Sequence, residues 1–411
     1  MIQRILVPFL ISFAVPFSSA LATEGEPAKL ALADNDRVVF LGGTFIEREQ
    51  AEGFLETRLT QRFPEKSVIF RNLGWSGDTV FGLARARFGK QEDGFAHLRE
   101  HVEGLKPTVI VVSYGQNESF AGEAGLADFR RGLMNLLQVL EKTGAKLIFL
   151  APMRHESLGA PLPDPAKHNA DLYLYVDLLE KAASERGHRF INLHRDLNSP
   201  VPLTDNGMHP TPAGYRFIAA AAADLLGLRE ADPRIEIDHA TMAVKSPGIE
   251  VTRDSVRKSP DLEFEARLAT LPPAPAPPKS PAAIAAAIRP TRVGVTNIDD
   301  GSYRLTIDGR EVARSKSRDG RLEFSIDRGP DIDQTEALRR VIVAKNQLYF
   351  HRWRPQNETY LFGFRKHEQG QNAREIPMFD PLVAAKETEI AKLRLPVPHR
   401  YRVSRIEEPN K

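Results

Sequence analysis

The chain has 411 residues, 42% of them hydrophobic and 27% charged, with a net charge of +2 and no cysteine. That length suggests two or three domains, and that composition a soluble globular protein. Near-neutral charge points to neither nucleic acid nor an anionic membrane as partner, and the lack of cysteine excludes thiol catalysis, thiolate metal sites and disulfides.

Residues 1–22 read as a signal peptide: Arg4, an apolar stretch from Ile5 to Phe17, then small residues ending Ala20-Leu21-Ala22. The stretch falls short of the roughly 20 apolar residues that span a bilayer, and Pro8 and Pro16 interrupt it. Cleavage after Ala22 would give a mature chain beginning at Thr23, periplasmic or secreted, with no membrane anchor left. Export without disulfides points to a bacterial route.

Residues 35–228 alternate apolar runs with amphipathic stretches. The spacing predicts strands at Val38–Leu41, Val68–Asn72, Thr108–Ser113, Leu147–Ala151 and Phe190–Leu193. Helical patterns lie between and after them, at Ile46–Phe63, Phe95–Leu105, Leu126–Lys142, Asp171–Arg186 and Ala213–Leu226. Nearly continuous apolar strands separated by helices argue for an α/β domain with a parallel sheet covered on both faces. Such sheets bind ligands beyond the carboxyl ends of their strands.

Residues 229–330 read as a β-rich accessory region. It contains a stiff proline-rich linker, "LPPAPAPPKSP" at 271–281, and a hairpin signal, "YRLTIDGREVARS" at 303–315, turning at Asp308-Gly309. Residues 331–411 read as a helical tail, with helical patterns at Asp333–Asn346 and Pro381–Leu393 and aromatic residues between them. Those aromatics, Tyr349, Trp353, Tyr360 and Phe364, can pack the tail onto the first domain or line a sugar cleft. No internal repeat is found.

Four stretches of the α/β domain follow strands and should gather at one sheet edge: "LGGTF" (41–45), "NLGWSGDT" (72–79), "YGQNES" (114–119) and "TDNGMHPTPAGY" (204–215). They bring a hydroxyl on a tight turn, a glycine amide, an asparagine amide and a histidine. That set suits acyl transfer, with Thr44 as nucleophile and His209 as base. The backbone N–H groups of Thr44 and Gly77 with the Asn117 side chain would form a three-donor oxyanion hole.

In this order the stretches resemble the SGNH, or GDSL-type, hydrolases, a family of esterases and lipases. The resemblance covers about half the chain, Arg37 to Leu228. It implies a flavodoxin-like three-layer α/β/α sandwich, oxyanion donors at Gly77 and Asn117 and a catalytic histidine at His209. Two positions depart from it: Gly42-Gly43-Thr44-Phe45 stands for Gly-Asp-Ser-Leu, and Asn206 stands for the triad aspartate, with Asp205 one place further back. Threonine carries a β-methyl that stiffens χ1 and crowds the attacked carbon. Asn206 can orient an imidazole but supplies no charge.

The resemblance implies hydrolysis of a carboxylic ester on a small molecule or polysaccharide, plausibly an acetyl group on a carbohydrate, with no cofactor. The alternative is a weakly active or inactive carbohydrate-binding protein on the same scaffold. A third reading takes "HLREH" (97–101) as a helical His pair for zinc. Thr44 can also cap a helix, Gly77 serve a turn, Asn117 tie its loop and His209 be structural.

Overall fold

The computed structural model describes residues 29–87, 89–229, 233–258, 261–283 and 290–407. The signal peptide expected at 1–22 lies outside the described residues.

The first domain carries five parallel strands: β1 Arg37–Gly42, β2 Ile69–Gly74, β3 Val109–Ser113, β4 Lys146–Leu150 and β5 Arg189–Ile191. Their order, β2-β1-β3-β4-β5, is that of a flavodoxin-like sheet. Side chains alternate along each strand, so one face of β1 presents Val38 and Phe40 and the other Val39 and Leu41. On the first face lie α1 (Thr44–Glu52), α2 (Phe54–Arg62) and α6 (Pro212–Leu225). On the second lie α3 (Gln91–Leu105), α4 (Leu126–Glu141) and α5 (Ala166–Glu185). The three layers are those of an α/β/α sandwich.

The single helix expected over Ile46–Phe63 is two. Gly53, at φ +68, sits between α1 and α2 in the left-handed region that glycine adopts without strain. Leu193, expected to end β5, instead opens a short helical turn, Leu193–Asp196.

The accessory region is a β-sandwich. One sheet holds β6 (Arg234–Asp238), β7 (Val244–Lys245), β10 (Thr291–Thr296) and β13 (Arg321–Ile326), in the order β13-β10-β6-β7. The other holds β8 (Ile249–Arg257), β9 (Leu262–Leu268), β11 (Gly301–Ile307), β12 (Arg310–Ser317) and a last strand, β14 (His399–Arg405). Its order is β12-β11-β14-β9-β8. Apolar side chains from both sheets, among them Val293, Phe324, Leu305 and Tyr401, share one core. The β11–β12 turn has positive φ at Asp308 and Gly309, the type I′ geometry that the Asp-Gly pair foretold.

The tail expected to be helical over 331–411 therefore ends as a strand at the middle of a sheet. His399 ties β14 to its surroundings, with Nδ1 2.6 Å from Asp308 Oδ2 and Nε2 facing Asp331 Oδ1 at 3.5 Å. Asp331 and Asp308 lift its pKa to about 9. Between the two domains run α7 (Pro330–Trp353) and α8 (Phe379–Leu393), packed on each other and on the α/β domain. Buried Lys345 of α7 pairs with buried Glu56 of α2, and Arg71 of β2 with Glu387 of α8 at 2.6 Å. The proline-rich segment is a packed strap, not a free linker. Pro272 O accepts from Thr335 Oγ1 at 2.9 Å, and Ala274 O from Arg216 Nε at 2.6 Å.

Candidate active site

All four loops leave the carboxyl edge of the first sheet. After β1, Gly43 caps α1 and Thr44 is the helix's first residue; the cap has no side-chain hydrogen bond, so Thr44 does not fill the capping role. Its Oγ1 instead accepts the Gly77 N–H at 3.2 Å. Helix geometry leaves the Thr44 N–H without an intrahelical acceptor, and the positive end of α1 favours negative charge there.

The loop after β2 is held from three sides. Asp78 is fully buried, its Oδ2 accepting from Arg85 Nε at 2.7 Å and from the Tyr114 hydroxyl at 2.9 Å. Its backbone oxygen accepts from Asn117 Nδ2 at 2.8 Å, which fixes that amide and leaves its second N–H for a substrate oxygen. Glu118 binds the two loops together, taking the Val80 N–H at 2.8 Å and the Gly115 N–H at 2.9 Å. Burial lifts its carboxyl to about 7. From the other side Glu47 of α1 accepts the Ser76 N–H at 2.6 Å and the Ser76 hydroxyl at 3.0 Å. Arg354, just past α7, reaches the same carboxylate at 2.6 Å and lies 3.7 Å over the Trp75 ring.

The histidine loop follows Leu203. Asn206 Oδ1 accepts the N–H groups of Met208 (3.1 Å) and His209 (2.9 Å). Those two donors settle which end of the amide is oxygen, so Nδ2 is the end 2.8 Å from His209 Nδ1. An amide nitrogen can only donate. His209 Nδ1 therefore accepts, and the neutral ring carries its proton on Nε2, the tautomer opposite to that of a base facing a nucleophile. Asp205 makes no side-chain bond to the ring and acts on it through charge alone. Burial and then Arg48 hold the His209 pKa below its ordinary value, against Asp205.

Thr44 and Asn117 line one cleft of about 480 Å³ with Gly43, Asp78, Glu118 and Met208. The structure thus brings Thr44, Gly77 and Asn117 together and sets His209 with Asn206. Among the described residues no hydrogen bond joins Thr44 to His209. Reading by motif passes over Asp78, Glu118 and Glu156. The first two stand inside the quoted stretches; Glu156 carries no local signal. Glu156 pins the histidine loop, its carboxylate accepting from Leu203 N at 2.8 Å, Thr204 N at 2.8 Å and the Thr204 hydroxyl.

The aromatic tail packs at two of its named residues. Tyr349 is buried under Arg71, and Trp353 meets Trp75 edge-on at 5.7 Å and His101 at 5.2 Å. The His pair of α3 is engaged in the same packing. His97 Nδ1 lies 3.0 Å from Arg85 O, and burial followed by Arg85 holds His101 down to about 3. No group of three or more metal-capable side chains occurs among the described residues.

No curated protein matches the chain by sequence. A gut microbial diltiazem-metabolizing enzyme is 16% identical with a TM-score of 0.72, over 93% of this chain and 100% of that one. The likeness of fold therefore takes in the β-sandwich and the helices as well as the α/β domain. Over about half this chain, two further structures align. One is an alpha/beta hydrolase enzyme from the metagenome of Lake Arreo, Spain (21% identical, TM-score 0.39, 49% of this chain and 99% of that one). The other is a GDSL-like lipase from Bacteroides thetaiotaomicron (21% identical, TM-score 0.31, 47% of this chain and 88% of that one). The model of the GDSL-like lipase/acylhydrolase family matches residues 30–217. Together with this sheet order and the four loops at its carboxyl edge, that match means that the α/β/α domain of the chain belongs to the GDSL-like lipase/acylhydrolase family.

Proposed function

We propose that the protein is an exported hydrolase of carboxylic esters, acting on an acetyl ester of a carbohydrate, small or polymeric. One observation supports this above the rest. The Thr44 hydroxyl stands at the end of β1 and the start of α1, bonded to the Gly77 N–H, in one cleft with Asn117. In this reading Thr44 Oγ1 attacks the ester carbonyl and its proton passes to His209 Nε2 in the minor tautomer that leaves this nitrogen free, a tautomer that Asn206 disfavours and that keeps turnover slow. The N–H groups of Thr44 and Gly77 and the Asn117 amide hold the developing oxyanion. The alcohol leaves, and water then releases the acyl group from Thr44. Only side chains, backbone N–H groups and water take part.

A small activated acetyl ester tests the nucleophile. Thr44→Ala is expected to abolish the parent's turnover while the protein stays folded; an unchanged rate would remove Thr44 from the chemistry. Export rests on the sequence of residues 1–22 and is checked by N-terminal sequencing of periplasmic material, expected to start at Thr23 and contradicted by a start at Met1. The tautomer that Asn206 imposes on His209 favours a second reading, a carbohydrate-binding protein with little turnover. Saturable binding of acetylated oligosaccharides without any release of acetate would establish it.

A further inference from the structure

We propose that Asn206 is a self-modification site: it loses its amide to the neighbouring Gly207 nitrogen, and the aspartate so formed turns His209 into a competent base. The gain of activity rests on the hydrolase reading above; the modification itself does not.

Asn206-Gly207 is the only Asn-Gly pair in the chain. Glycine leaves its peptide nitrogen unshielded, which makes this pair the most prone of all to cyclise. Here the position also demands glycine. Its φ is +84, and a Cβ would lie 2.8 Å from the Glu156 carbonyl oxygen. Asn206 is exposed, so water reaches it.

The surroundings resemble a small acyl-transfer site aimed at the Asn206 side chain. Oδ1 reaches past the Gly207 peptide to the N–H groups of Met208 and His209, which holds the side chain against the backbone that follows it. Those two donors stabilise the charge that grows on Oδ1 during attack, as an oxyanion hole does. The Gly207 N–H donates to Thr204 Oγ1 at 3.1 Å, and the Thr204 hydroxyl donates in turn to the Glu156 carboxylate. That chain gives the attacking nitrogen a path for its proton. On the far side Nδ2, the departing nitrogen, sits 2.8 Å from His209 Nδ1, and water, which reaches the exposed Asn206, supplies the proton with which it leaves.

The steps balance. Gly207 N gives up its proton and bonds to Asn206 Cγ; the Cγ–Nδ2 bond breaks and ammonia leaves with a proton; a five-membered imide remains. Water then adds at Cγ, the Gly207 N–Cγ bond breaks, the peptide nitrogen regains its proton and Cγ keeps a carboxylate. A carboxylate at Nδ1 can only accept, so the imidazole proton moves to Nδ1 and the Nε2 lone pair is freed for the nucleophile.

The test ages freshly purified protein in mildly alkaline buffer. Peptide mapping follows the acid at position 206, and turnover of a small activated acetyl ester is followed alongside. Acid at 206 should accumulate, and turnover should rise with it toward the rate of Asn206→Asp, by up to about 10⁴-fold. Asn206→Gln, whose longer side chain cyclises far more slowly, should stay flat. Thr44→Ala should lose the amide at the parent's pace and gain no activity. An amide retained at 206 overturns the proposal. So does conversion to isoaspartate alone, with activity unchanged while Asn206→Asp is active. If acid accumulates but Asn206→Asp is itself inert, the modification stands and the hydrolase reading falls.

Discussion

Asn206→Asp, assayed on freshly made protein, is expected to raise turnover of an activated acetyl ester by as much as about 10⁴, the size of the opposite change in a serine protease triad. The amide at 206 is locked by two backbone N–H groups, so it cannot turn its oxygen to the ring, and His209 keeps its proton on the wrong nitrogen. A carboxylate accepts at every position. It reverses the tautomer, and its charge offsets the imidazolium formed when Thr44 gives up its proton. The acid limb of kcat/KM should also move to higher pH, because the new charge opposes the burial and the Arg48 field that now depress His209. Thr44→Ser removes the β-methyl and frees χ1. The two changes should combine more than additively, since nucleophile and orienter act through one histidine. A double variant that folds but stays inert would mean that the cleft lacks more than these two groups.

Asn117→Ala should lower kcat by roughly 10²–10³ with a smaller change in KM, the cost of losing one oxyanion donor. Among the described residues only one of its two N–H groups is used, on Asp78 O. A merely structural Asn117 predicts something else. The loop would loosen, the thermal midpoint would fall, and kcat would follow it rather than drop alone. Measuring the midpoint beside kcat and KM separates the two, and an unchanged kcat would place Asn117 outside the chemistry.

The α/β domain was legible because its strands are near-continuous apolar runs that must be covered on both faces. Val38–Leu41 and Leu147–Ala151 permit little else. The loops carrying the site were legible for the same reason: a parallel sheet gathers everything that follows its strands. What the sequence hid is set by distant partners. The break at Gly53 and the packed strap at Pro272 are settled by contacts with α7, far along the chain. His399–Arg405 is short and follows a long helical stretch, so nothing local says that its partners are β9 and β11. In the site, the presence of Asn206 was plain, but its effect on His209 depends on which end of an amide faces the ring. Two backbone N–H groups decide that, and no spacing of residues records them.

The place of β14 has a consequence for how the molecule is made. Synthesis runs from residue 1 onward, and the α/β sandwich has all its strands once β5 has been added. The second sheet of the accessory region cannot close then. β9 and β11, neighbours of β14 on either side, wait through more than ninety residues between the end of β11 at Ile307 and the start of β14 at His399. During that interval each offers an unpaired row of backbone donors and acceptors, open to any other strand nearby. The arrival of one seven-residue strand seals both rows at once. A chain cut short inside α8 would carry all five strands of the first sheet and two open edges in the second, so its tendency to pair with other strands is set by the absence of β14 alone.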